Sequence, residues 1–190
     1  MIILDTEATS LTVSPVLPLA QQPYVIEITA LKVTLPTDGS RGWPVPARYS
    51  TLVRPPVPVP AECTKITKLT TEDLAGAPSF VKVYGPLVDF VLGERILLAH
   101  NLPYDVAVVD AELQRMEKAR AFPWPPVQIC TVEATQYLTG KYLKLTELYE
   151  ALFGVHPTQE HRASSDADML LVCAQELWRQ GRLDLPVSAP

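Results

Sequence analysis

Cysteine, glycine, aromatic residues and basic charge are all scarce in these 190 residues. The three cysteines, Cys63, Cys130 and Cys173, are scattered, odd in number and form no CxxC pair. That argues against a disulfide framework or a thiolate zinc site, and for reduced thiols in a cytoplasmic protein. No apolar run is long enough to cross a bilayer, so no membrane partner is expected. The opening MIILDTEAT has no basic segment and meets an acid at once, so it does not read as a secretory leader. A net charge of −5 argues against a broad basic face for nucleic acid. It leaves room for a site where bound cations supply the positive charge, since two divalent ions would cancel four of those five charges. No repeat and no linker interrupts the chain, and its 47% hydrophobic content suffices for one sizeable core.

Proline, by contrast, is abundant. Twelve of the nineteen prolines cluster at 15–23, 44–60 and 123–126, and the prolines are expected to lie outside the main helices, marking loops and edges. Segments 12–23 and 36–47 read as surface excursions. RPPVPVP at 54–60 reads as a connector rather than an SH3-type ligand.

Apolar runs and β-branched alternation place strands at 1–6, 24–35, 49–53, 95–99 and 127–130. The first three form an antiparallel meander. A short helical turn starts at Thr71-Glu72-Asp73. Ser79 caps a helix over 80–92 that Gly93 stops, and Pro103 opens another running to about 119. Further helices fall at 132–138, 145–153 and 163–180. This order gives an α/β fold: a five-stranded mixed sheet flanked by helices on both faces, strands four and five being parallel through a right-handed crossover. One domain over 1–180 is expected, with 181–190 as a short tail.

Asp5 and Glu7 are two apart on a strand and share a face. Paired carboxylates repel and are costly to bury, a cost that divalent cations relieve. The plain alternative is a solvated strand end, although Ile2, Ile3 and Leu4 read as buried. Asp105 and Asp166 each fall in the first turn of a helix, where the helix dipole alone favours an acid. Asp105 also follows the carboxyl end of a strand, where ligands gather. His100 and Asn101, in the same turn, read as hydrogen-bonding structural residues. His161 lies just before the last helix, free to lean over a neighbouring site. Asp168 points away from Asp166, toward solvent or a salt bridge. Oxygen-only ligands suit Mg²⁺ or Mn²⁺, and two such ions can clamp both oxygens of a phosphodiester displacement. A neutral imidazole can take the proton from water.

DxE, HNxxxD and HxxxxD, in this order, resemble the DEDDh (DnaQ-like) exonucleases. The likeness covers roughly residues 1–180. VIEITALKV, the stretch YSTLVRPPVPVPAECTKITKLTTEDLAGAPSF and ICTVEATQYL resemble that family's later segments. The resemblance implies a ribonuclease H-like fold and 3′→5′ removal of nucleoside monophosphates from single-stranded or frayed ends, with DNA ahead of RNA. It implies two divalent ions, Mg²⁺ or Mn²⁺, held by Asp5, Glu7, Asp105 and Asp166, with His161 as general base. Ala8, Thr9, Leu11, Asn101 and Tyr104 would meet the terminal nucleotide. Lys65 and Lys68, in ITKLT where the family has ITGIT, would lie on the substrate path or merely aid solubility. Lys141, Lys144 and Arg162 are further candidates for phosphate contacts. The implied partners are a 3′ end and a polymerase or other replication or repair protein. About ten residues follow the last helix, which favours a stand-alone enzyme or a small phage-type exonuclease. The alternatives are a non-catalytic 3′-end-binding or polymerase-accessory module on the same fold, and a structural acidic protein whose acids are caps and strand ends.

Overall fold

The computed structural model describes residues 1–10, 16–36, 42–118, 122–158 and 161–186, so the Leu11 expectation lies outside the described residues. Five strands form one sheet in the order β3-β2-β1-β4-β5. β1 (Ile2–Ala8), β2 (Val25–Lys32) and β3 (Ala47–Leu52) make the expected antiparallel meander. β4 (Ile96–Ala99) runs parallel to β1, and β5 (Val127–Cys130) parallel to β4. The helices in chain order are α1 (Ala61–Thr67), α2 (Phe80–Val91), α3 (Leu102–Arg115), α4 (Thr131–Ala134), α5 (Leu145–Phe153) and α6 (Ala163–Arg179).

β1 is the middle strand, and its alternation divides its side chains between two helical layers. Ile2, Leu4 and Ala8 pack with Val83 and Leu87 of α2 and with Val108 and Val109 of α3. Ile3 packs on the other face, with Leu148 of α5 and Ala167, Leu170 and Cys173 of α6. Leu183 and Leu185, beyond α6, are buried in this second layer. The same alternation sorts the side chains at the carboxyl end of β1: odd residues meet α6 and even residues meet α3.

Three local features differ from expectation. Ala61–Thr67 is helical, entered from an extended Pro60 and ended by Lys68 in the left-handed region at φ 62. Cys63 and Thr67 are its buried residues. Residues 71–76 form hydrogen-bonded turns rather than a short helix. At their start the Asp73 carboxylate accepts from the Thr70 N–H and hydroxyl, both at 2.8 Å, and the Thr70 hydroxyl accepts the Asp73 N–H at 3.1 Å. Pro86 lies inside α2, against the expectation that prolines avoid the main helices. It sits with Gly85 on the exposed side of α2, where the carbonyl that loses its partner can turn to water.

Candidate active site

At the end of β1, Asp5 and Glu7 point to the α6 layer, where Asp166 waits in that helix's first turn. Each of these three brings a carboxylate oxygen to within 4.8 Å of the other two. Thr6, between them, points to the opposite layer. There its hydroxyl donates to Oδ1 of Asp105 at 2.7 Å, both residues being buried. Asp105 thus approaches from α3 and stands outside the three-carboxylate group. It is still close enough that its charge acts on Asp5.

The electrostatics are those of acids crowded out of water. Burial, then the charges of Asp105, Asp166, Glu7 and Glu27, hold the Asp5 carboxyl well above the usual range. Burial first, then Asp166, Glu27 and Asp105, push Glu7 up to about 8, against a smaller opposing pull from Arg162. Burial pushes Asp105 up to about 7, opposed by the Thr6 hydrogen bond. A compact set of carboxylate oxygens, with Asp5 and Glu7 both resisting ionisation, fits a hard divalent cation, which would relieve both burial and repulsion.

A cleft of about 830 Å³ opens over the acids, lined by Asp5, Glu7, Asp166 and His161. Asn101 also faces it from the turn before α3, at φ 68. Lys144 and the exposed Tyr142 line the wall beyond. His100 ties that wall to β4: Nδ1 is 2.9 Å from Thr131 Oγ1 and Nε2 is 3.0 Å from the Leu143 carbonyl. Burial lowers the His100 pKa to about 4, which makes it a neutral structural link at ordinary pH.

The remaining sequence-derived candidates lie around this cleft rather than in it. Ala8 and Thr9 are buried, and Thr9 closes the strand end by exchanging hydrogen bonds with Tyr24, both at 2.9 Å. The Tyr104 hydroxyl donates to the Ser10 carbonyl at 2.6 Å. Lys65 and Lys68 are exposed on α1 and at its end, and the Lys68 ammonium donates to the Lys65 carbonyl. Arg162, a candidate for phosphate, instead holds Glu27. Asp168 pairs with Arg48 at the surface. Thr6 and Glu27 carry no mark in the motifs. The available signal was a carboxylate inside VIEITALKV, a strand otherwise almost wholly buried.

A mixed sheet between two helical layers, with half-buried acids at the end of its central strand, defines the class: a nuclease of ribonuclease H-like fold. The profile of the family described as Exonuclease (RNase_T) matches residues 2–172, and the chain belongs to that family. It is a 3′–5′ exonuclease of the DEDDh kind. Among its relatives, DNA polymerase III subunit epsilon of Treponema pallidum is 30% identical over 86% of this chain and 69% of its own length. The Aquifex aeolicus subunit of the same name is 27% identical over 93% and 81%. A PolC-type DNA polymerase III from Clostridium perfringens is 32% identical over 75% of this chain but only 9% of its own length. Of solved structures, the nuclease domain of 3′hExo, a DEDDh family member bound to rAMP, superposes with a TM-score of 0.71 at 20% identity, covering 95% of this chain and 92% of that one. Exonuclease X with 5′-overhanging duplex DNA gives 0.65 at 20% identity, covering 96% and 93%.

Proposed function

We propose that the chain removes nucleoside monophosphates from single-stranded or frayed 3′ ends of DNA, with RNA as the alternative polymer, by two-metal-ion hydrolysis. The observation that carries this is the grouping of the Asp5, Glu7 and Asp166 carboxylates in one cleft with His161. These three acids would hold one divalent ion, Mg²⁺ or Mn²⁺. Asp5 and the Thr6-braced Asp105 would hold a second. When bound, the ions supply charge that stabilises the attacking and leaving oxygens of the phosphodiester. His161 takes the proton of the attacking water, whose oxygen bonds to phosphorus as the P–O3′ bond breaks. The shortened strand keeps the 3′ hydroxyl and a 5′-monophosphate leaves.

Around that centre, Asn101 and the backbone near Ala8 and Thr9 shape the place of the terminal nucleotide, with Tyr104 bracing it through Ser10. Lys65, Lys68, Lys141 and Lys144 offer cations to the strand. The exonuclease unit spans 1–180, with 181–190 as a short tail, of which Leu183 and Leu185 are buried. The named relatives favour DNA and a replication or repair partner, while the rAMP-bound neighbour keeps RNA in view.

The test uses matched DNA and RNA strands labelled at either end, with Mg²⁺ and with EDTA. Mononucleotides should leave from the 3′ end, and EDTA or Asp5→Ala should stop their release. Internal cuts or EDTA-resistant loss would sink the reading. Binding of 3′ ends without release would favour the accessory-module alternative.

A further inference from the structure

Glu27 lies near the start of β2, directly opposite Glu7 in the antiparallel register, and is 3% exposed. A further carboxylate buried beside the acid cluster is costly unless strong donors surround it. Three do. Arg162 grips it with both prongs, Nε to Oε2 at 2.8 Å and Nη2 to Oε1 at 2.9 Å. The N–H of Ala163, the first residue of α6, donates to Oε2 at 3.1 Å. Glu27 therefore caps α6 from another strand. Arg162, at the cap position, makes no side-chain cap bond of its own.

The residues flanking this grip are the ones the chemistry needs. His161 immediately precedes Arg162 and sits at φ 50, in the left-handed region that a non-glycine residue holds only when its surroundings impose it. The Arg162 carbonyl accepts the Asp166 N–H at 2.9 Å. One ion pair thus links, through single residues, the strand position opposite Glu7, the backbone that aims His161, and the turn that carries Asp166.

We propose that Glu27 and Arg162 are positioning residues that clamp the start of α6 to β2 and so aim His161 over the acid cluster, a role that rests on the exonuclease reading above. The clamp acts on the step that needs the base, not on strand binding. In the full chain with a single-stranded substrate and Mg²⁺, Arg162→Ala should lower kcat roughly 10–100-fold while KM and calorimetric Mn²⁺ affinity each move less than about threefold. Free guanidinium should restore part of that kcat, yet leave wild type and His161→Ala unchanged. Arg162→Lys, which keeps the charge but not the two-pronged grip, should fall between and serves as the variant if Arg162→Ala does not fold. Glu27→Gln should show the same kcat loss without guanidinium rescue.

A raised KM with intact kcat would make Arg162 a phosphate contact and overturn the proposal. Mn²⁺ affinity falling in step with kcat would overturn it too, assigning the pair to the metal acids. Unchanged kinetics in an active background would remove the positioning role alone. A wild-type chain that releases nothing from any 3′ end would remove the exonuclease reading beneath it.

Discussion

Asp5 carries opposed demands. The proposed mechanism needs it as a ligand, and it is the carboxylate on which burial and four neighbouring acids press. Asp5→Asn should therefore abolish turnover yet raise the melting temperature of the metal-free protein at pH 8, by about 0.5–2 kcal/mol of stability. Scanning fluorimetry with and without Mg²⁺ checks both halves, because the variant should also lose most of the Mg²⁺-induced rise. A variant less stable than wild type without metal would show that the acids are not in conflict. At this scale the DxE pair was legible because period two is a property of a strand, readable from Asp5 and Glu7 alone. The part played by Glu27 was not. Its meaning depends on lying across from Glu7 and beneath Arg162, 135 residues away in sequence, and no local pattern encodes that register. Arg162 is only a candidate phosphate contact in the sequence for the same reason: its partner Glu27 is supplied by the tertiary fold.

The strands and long helices were legible because each carries its own period and its own stops. α1 was not, since AECTKIT follows a proline-rich connector and spans barely two turns. What commits it is burial of Cys63 and Thr67 under the site, close enough that the Glu7 charge acts on the Cys63 thiol. Pro86 shows the converse, a helix breaker overruled by the apolar face of Phe80, Val83, Leu87 and Val91. That face belongs to the layer opposite α6, so α2 can be altered without touching the acid cluster. Pro86→Ala restores one helical donor but loosens the unfolded chain, and the balance should be a gain of about 1 kcal/mol. Chemical denaturation should show a higher midpoint, and strand degradation should proceed at the wild-type rate. A lower midpoint would mean that the proline fixes a bend which the packing of α2 requires.

The whole molecule is acidic, and its acids are most concentrated where the chemistry is placed, so stability, pH and metal are linked. In the metal-free protein Glu7 is held near 8 and Asp105 near 7, whereas in the unfolded chain both release their protons near about 4. Between those limits the native state binds more protons than the unfolded state, so stability must fall as pH rises. The low-pH contribution is complete below the unfolded values and is lost as pH passes 7 and then 8. The slope is at most about 1.4 kcal/mol per pH unit for each fully responding group. A divalent ion takes the place of those protons and binds the native site better as they leave, so its stabilisation grows in the direction in which the metal-free protein weakens. Melting curves from about pH 5 to about pH 8 should therefore decline without metal. With Mg²⁺ they should stay nearly level, the gap between the two being widest at the alkaline end. A metal-independent curve, or one that rises with pH when no metal is present, would show that Glu7 and Asp105 are not cation ligands.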